Sequence, residues 1–166
     1  MRTVILTAIL VLLTGCAALA TSVDPKYYTL REEELQAALA AQDEHTATQI
    51  YVERLDAALP AAVLKHSALF NRVTIRVEDY SFYSIHVYGT YQLGDEPRGV
   101  KAQIVEAVAG IVGNEMINSG AIRRVSDGRG GSRPVEFMVT VYAGRDAING
   151  RSIGSFKFPE MRTITN

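Results

Sequence analysis

The sequence predicts an α+β fold, with N-terminal helices followed by a β-β-α-β-β series that forms a small antiparallel sheet with helices on one face. Three observations lead to this prediction. Apolar residues recur at helical spacing before residue 60, they alternate with polar residues after residue 72, and a second helical stretch over 98–119 separates two groups of strands. The length of 166 residues suits a single domain.

The first residues predict export rather than a part of the fold. Arg2 precedes an apolar run, Val4–Leu13, that leads into Thr14-Gly15-Cys16. A cationic start, a short apolar run and small residues before a cleavage point are typical of a secretory signal. The run is shorter than the roughly 20 residues that span a bilayer. Cleavage further on, within Ala17–Ala20, is an alternative.

The tetrapeptide Leu13-Thr14-Gly15-Cys16 resembles the lipobox of bacterial lipoproteins, and Cys16 is the single cysteine of the chain. The resemblance implies removal of residues 1–15 and attachment of diacylglycerol to the Cys16 thiol. It further implies a tether over 16–27 and one periplasmic domain over 28–166. By resemblance to Gram-negative lipoproteins, Ala17 favours the periplasmic face of the outer membrane, whereas Asp at that position would favour the inner membrane.

The segment from Thr29 to Ala58 has the composition of a helix. Thr29 followed by Glu32 predicts a capping box, and the acidic residues after Thr29 favour a helix N-terminus. Asp43–Thr46 is expected to divide the segment into two helices. Pro60 then predicts the start of a third, over 61–69.

Period-two alternation predicts the strands. Val73–Glu78 and Tyr83–Tyr91 alternate apolar with polar residues, as in a hairpin. The clearest helix, Arg98–Ser119, follows Pro97 and is ended by Gly120. After it we expect a short strand over 122–125, a flexible glycine-rich loop over 126–134, a strand over 135–143 and an edge strand over 153–158.

Composition excludes several classes of protein. A net charge of −1 argues against a dedicated nucleic-acid binder, and one cysteine excludes both an internal disulfide and a multi-cysteine metal site. His45, His66 and His86 are far apart and lack metal-binding spacings. We therefore expect neither a metal nor a cofactor.

One stretch matches the nucleophile motif of hydrolases. Gly150-Arg151-Ser152-Ile153-Gly154 has the form Gly-x-Ser-x-Gly. That motif needs a strand before the serine and a helix after it. No helical pattern and no histidine follow Ser152, so the match predicts no catalytic residue.

Four arginines form the candidate partner-binding site: Arg123, Arg124, Arg129 and Arg133 lie within 11 residues, opposed only by Asp127. Guanidinium groups on a mobile loop can bind phosphates or carboxylates in pairs of hydrogen bonds. Lipid headgroups, peptidoglycan carboxylates and an acidic protein surface are the candidate ligands. The alternative is that the arginines only keep the loop soluble.

Charge is distributed unevenly along the chain. Residues 17–60 carry 8 acidic and 3 basic residues, whereas residues 61–166 carry 10 acidic and 13 basic ones. One interpretation is a solvated acidic helix pair on a more basic sheet layer. The other is two faces of opposite charge for different partners.

Two further resemblances concern the domain. Tyr27-Tyr28-Thr29-Leu30 resembles the opening of auxiliary lipoproteins of lipid-transporting ABC systems. Residues 115–125 resemble a helix-to-strand passage in envelope lipoproteins of the penicillin-binding-protein activator type. Both are consistent with a non-catalytic accessory, assembly or transport-auxiliary lipoprotein that has an envelope protein as its partner. A periplasmic hydrolase of an envelope polymer and a structural membrane tether are the alternatives.

Overall fold

A computed structural model describes residues 24–145 and 149–166, and it confirms the α+β class. Three helices are described: α1 (Glu32–Ala40), α2 (Glu44–Leu64) and α3 (Arg98–Asn118). The strands are β1 (Phe70–Asp79), β2 (Phe82–Gly89), β3 (Arg124–Ser126), β4 (Ser132–Pro134), β5 (Glu136–Ala143), β6 (Arg151–Phe158) and β7 (Arg162–Thr165). Short 3-10 turns cover Pro25–Thr29 and Tyr91–Asp95.

The main sheet is mixed, not purely antiparallel as predicted. Its order is β1-β2-β5-β6-β7, and β2 runs parallel to β5 because α3 carries the chain across the sheet between them. The other neighbouring pairs are antiparallel. Strand β6 lies inside the sheet, since β7 forms the edge that we expected at residues 153–158. Strands β3 and β4 form a separate small hairpin.

The helices cover one face of this sheet. Tyr83, Ile85 and Val87 of β2 point into the core and are fully buried, as are Val139 and Val141 of β5. The intervening residues of both strands lie on the opposite face, where Ser84, Tyr88 and Thr140 are also buried. The period-two alternation therefore reports correctly which side chains enter the core.

The start of α1 differs from the prediction. Thr29 does not cap the helix, because its hydroxyl donates to the Lys26 carbonyl within the first 3-10 turn. Arg31 precedes α1 in the left-handed conformation, with φ of 53°. The Glu32 carboxylate accepts hydrogen bonds from Gln36 and Arg54 instead of closing a capping box.

Pro60 does not begin a new helix, because it lies inside α2. Leu59, Ala62 and Val63 are buried on both sides of the proline, so the helix face that packs on the core continues through it. Tertiary packing, which supplies most of the stability of a helix in a protein, outweighs the local preference of proline for a helix start. No helix among the described residues is both long and apolar enough to cross a bilayer.

Candidate functional site

A groove lies between the first half of α2 and the end of β1. Its volume is about 780 Å³, within the range of small-molecule sites. The side chains that line it are mostly polar, with two valines and one exposed tyrosine: His45, Thr48, Gln49, Val52, Glu53, Val77, Glu78, Asp79 and Tyr80. Residues about 30 positions apart in sequence thus form one concave surface.

The arginine hairpin, β3–β4 with its loop, borders this groove. Arg133 donates to Asp79 at 3.0 Å, and Arg123 donates to Thr48 at 3.1 Å. Both acceptors line the groove. The segment predicted as a flexible loop is therefore a two-stranded hairpin docked beside the concave surface.

The four predicted arginines have different environments. Arg123 is mostly buried, donates to Glu44 and Thr48, and lies 5.0 Å from the centre of the Tyr51 ring. Arg124 donates across the hairpin to Ser132, and Arg133 is bound to Asp79. The exposed Arg129 makes no side-chain bond to the described residues. Arg123 thus serves the fold, whereas Arg129 presents its guanidinium to solvent.

Asp127, the acidic residue among these arginines, organises the hairpin loop. Its Oδ1 accepts hydrogen bonds from the backbone N–H groups of Arg129 and Gly131, both at 2.8 Å. These bonds hold the pKa of Asp127 below its ordinary value. Gly128 and Gly130 have φ of 71° and 85°, which side-chain-bearing residues rarely adopt. These hydrogen bonds and the two glycines stabilise a loop conformation in which Arg129 is exposed to solvent.

His45 is the histidine that lies in the groove, where it makes an edge-to-face contact with Tyr80 at 6.2 Å between ring centres. Asp79 accepts from the Ser81 hydroxyl and backbone, which lowers the pKa of its carboxyl. Ser152 lies elsewhere, inside β6, and bonds to Asn166. The Gly-x-Ser-x-Gly match is therefore part of a strand, not an elbow.

A second polar cluster, here called the N-terminal clasp, fastens residues 24–32 onto the helices. The hydroxyl of Tyr28 donates to the carboxylate of Glu115 on α3. Arg54 of α2 donates to the Leu30 carbonyl at 2.9 Å, to Glu32 at 2.6 Å and to the Ser119 carbonyl at 3.4 Å. One buried guanidinium thus joins the start of the domain, α2 and the end of α3.

Burial shifts the titration of both partners in the Tyr28–Glu115 contact. Glu115 is only 4% exposed, and burial raises the pKa of its carboxyl. Burial and the hydrogen bond to Glu115 raise the pKa of Tyr28 to about 12. The tyrosine therefore stays protonated and donates at any physiological pH.

The sheet face opposite Tyr83, Ile85 and Val87 carries a stack of planar groups. Arg72 lies 4.7 Å from the Tyr88 ring, Tyr88 stacks on Tyr142 at 5.2 Å, and Tyr142 stacks on His86 at 5.6 Å. Burial and the nearby Arg76 lower the pKa of His86. Because these groups cover each other, they offer few free ring faces for a ligand and mainly order the sheet surface.

Comparison with protein families, with curated proteins and with solved structures finds no match to this chain. Cys16 and the remainder of 1–23 lie outside the described residues, so lipid attachment stays a prediction. Among the residues described, no group of histidine, cysteine and carboxylate side chains is arranged to hold a metal ion.

Sequence reasoning missed the groove and the clasp. Tyr80 follows Asp79 between two predicted strands, and His45 lies in the polar stretch Asp43–Thr46 that is expected to divide two helices. Nothing in the pattern of either segment indicates that they face one another. Glu115, a lone carboxylate in the apolar part of α3, is the one local signal that could have indicated a buried polar contact.

Proposed function

We propose that the chain is a non-catalytic, lipid-anchored envelope lipoprotein that assists an envelope protein partner from the periplasmic face of the outer membrane. The motif Leu13-Thr14-Gly15-Cys16 supports the anchor. Acyl chains contribute about 0.8 kcal/mol per buried CH₂, so a diacylated cysteine holds a protein at a membrane durably.

The N-terminal clasp is the structural observation that supports a role close to the membrane. Seven residues, 17–23, separate Cys16 from Asp24, the first residue that the structure describes. At about 3.5 Å per residue, the eight steps from Cys16 to Asp24 span at most about 28 Å. An anchored domain would therefore begin within about 28 Å of the bilayer surface, which favours partners close to the membrane.

A periplasmic hydrolase is the competing function, because His45 and three carboxylates line one groove. Glycoside hydrolysis needs a carboxylic acid that burial keeps protonated. Glu53, Glu78 and Asp79 are exposed, and hydrogen bonds lower the pKa of Asp79. The groove is thus better suited to binding than to proton transfer, and a structural tether remains the third alternative.

Replacement of Cys16 tests the proposal. In cells given a labelled fatty acid, we expect Cys16→Ser to lose the label and to leave the outer-membrane fraction. Ala17→Asp is the matched variant, since it should keep the label and shift the protein to the inner membrane. A Cys16→Ser protein that stays in the outer membrane as the parent does would contradict lipid anchoring.

A further inference from the structure

Strand β1 forms one edge of the main sheet, and it differs from β7 at the other edge. It has ten residues, whereas β7 has four. Among the residues that the structure describes, β2 is the one strand that pairs with it. Edge strands are usually protected from further pairing by shortness, by lysine or by proline, and β1 contains neither lysine nor proline. Its outer row of backbone N–H and C=O groups can therefore pair with another strand.

The apolar side chains of β1 are less well covered than those of the strand beside it. Val73, Ile75 and Val77 pack against the core but stay partly exposed, although their direct partners on β2 are fully buried. Val77 also lines the open groove between α2 and the end of β1. One more strand with apolar residues on this side would remove the row from water and extend the core.

The opposite side of β1 carries three exposed charges, Arg72, Arg76 and Glu78. Arg72 lies on the Tyr88 ring. Burial lowers the pKa of His86, Arg76 lowers it further, and Glu78 raises it, so both charges lie near this histidine of the aromatic stack. None of the three forms an ion pair with a described residue. A strand that pairs with β1 can therefore supply opposite charges on this face.

A second copy of β1, running antiparallel, is complementary on both sides in one register. When the two copies of Ile75 lie directly opposite each other, Val73 faces Val77 of the second copy. On the other side, Arg72 faces Glu78 of the second copy, and the two-fold symmetry repeats this pair. Residues directly opposite in a sheet point to the same side, so both apolar rows continue the same core layer.

The neighbouring registers that keep the two faces in place are unfavourable. Centring the pair on Thr74 places Arg72 opposite Arg76, and centring it on Arg76 places that arginine opposite itself. Like charges directly opposite each other destabilise a sheet. Registers centred further along the strand keep fewer residues of β1 in contact. The charge pattern thus selects the register centred on Ile75.

We propose that the chain forms a two-fold symmetric dimer in which β1 pairs antiparallel with β1 of a second copy. The two five-stranded sheets then make one continuous sheet with the helices of both copies on the same face. The pairs Arg72–Glu78 at its two ends fix the register, and Val73, Ile75 and Val77 bury each other between them. This dimer goes beyond the proposed envelope role and does not depend on lipid attachment at Cys16.

Charge reversal tests the dimer and its register. In sedimentation equilibrium of the full chain in detergent, we expect the parent to form a reversible dimer. Arg72→Glu and Glu78→Arg should each raise its dissociation constant at least about tenfold, because two attractive pairs become repulsive. The double variant restores opposite charges and should return to within about threefold of the parent. Arg162→Glu makes the same charge change on β7 and should have no effect.

Three results would overturn the proposal: a parent that is monomeric at about 1 mM, single reversals that dimerise as the parent does, or a double variant that does not recover. Every variant keeps residues 1–23, so any sharing of a detergent micelle is equal in all of them. Circular dichroism of each variant checks that its fold is retained.

Mild oxidation of cysteine variants tests the register directly. Ile75→Cys places two thiols directly opposite each other, at a spacing that a disulfide can bridge, so it should give a cross-linked dimer. Val73→Cys places them four residues apart along the paired strands, about 14 Å, and should not. The parent, whose single cysteine is Cys16, measures any cross-link through that residue. Equal cross-linking of the two variants would refute the register.

Discussion

The N-terminal clasp and the arginine hairpin use the same residue type in opposite ways. Arg54, in the clasp, is 3% exposed and donates to three acceptors, Leu30 and Glu32 at the start of the domain and Ser119 at the end of α3. Arg129, at the tip of the hairpin, is exposed and makes no side-chain bond within the described chain. A cluster of arginines in sequence therefore does not indicate one role.

Burial explains the difference. A buried guanidinium has lost its water and depends on the acceptors it binds, and its removal leaves a buried acceptor such as the Ser119 carbonyl without that partner. An exposed guanidinium exchanges water for a ligand at little cost and contributes little to folding. We therefore expect the clasp to contribute to stability, and we propose recognition as the role of the hairpin; the following substitutions test that division.

Arg54→Ala should have the largest effect. It removes three hydrogen bonds from a charged donor and leaves the buried Ser119 carbonyl without this partner, so we expect a loss of about 3 kcal/mol in the free energy of unfolding. Urea denaturation measures this loss. Arg54→Lys keeps the charge but cannot form the same fork, and it should recover less than half of the stability. A change below about 0.5 kcal/mol for Arg54→Ala would mean that the clasp is dispensable.

Arg123→Ala sharpens the comparison. Arg123 directly precedes the hairpin in sequence, but its side chain is mostly buried, as that of Arg54 is. It bonds to Glu44 and Thr48 and covers the Tyr51 ring, so we expect a loss of about 2 kcal/mol in the free energy of unfolding. Arg124→Ala, one residue further on and exposed, is the matched control and should change stability little. If the two substitutions lowered the free energy of unfolding equally, Arg123 would contribute no more to stability than an exposed arginine.

The contribution of the clasp to the free energy of unfolding depends on pH through Glu115. Because burial raises the pKa of this carboxyl in the folded chain, its protonated form is favoured by folding. Its contribution is fully present below the ordinary pKa of about 4.5 and is lost as pH rises through the folded-state value. Glu115→Gln, which still accepts from Tyr28, avoids that loss.

Urea denaturation across this pH range checks the expectation. The stability of Glu115→Gln relative to the parent should increase with pH above about 4.5 and then level off. Glu33→Gln, an exposed position on α1, is the control and should show no comparable trend. A flat difference for Glu115→Gln would mean that Glu115 does not titrate differently in the folded and unfolded chains.

Sequence patterns correctly predicted burial where one face of a helix or strand packs on the core. Alternation correctly placed Tyr83, Ile85 and Val87 in the core, because a strand with one buried face repeats every two residues. The same pattern carries no strand direction, so the parallel pairing of β2 with β5 was not predictable. The groove joins residues 45–53 to residues 77–80, and the function of Arg54 depends on Leu30 and Ser119. Both arise from tertiary contacts that no local pattern encodes.

Arg129→Ala should have the smallest effect on folding and, if the hairpin recognises a partner, the largest effect on recognition. Without side-chain bonds to lose, the free energy of unfolding should stay within about 0.5 kcal/mol of the parent. Recovery of co-purifying envelope proteins from solubilised membranes should fall for Arg129→Ala, and further for the double variant with Arg133→Ala. Arg145→Ala removes an exposed arginine outside the hairpin and is the control. Unchanged recovery with the double variant would leave the hairpin a role in solubility alone, because its exposed charges would then contribute neither to the fold nor to binding.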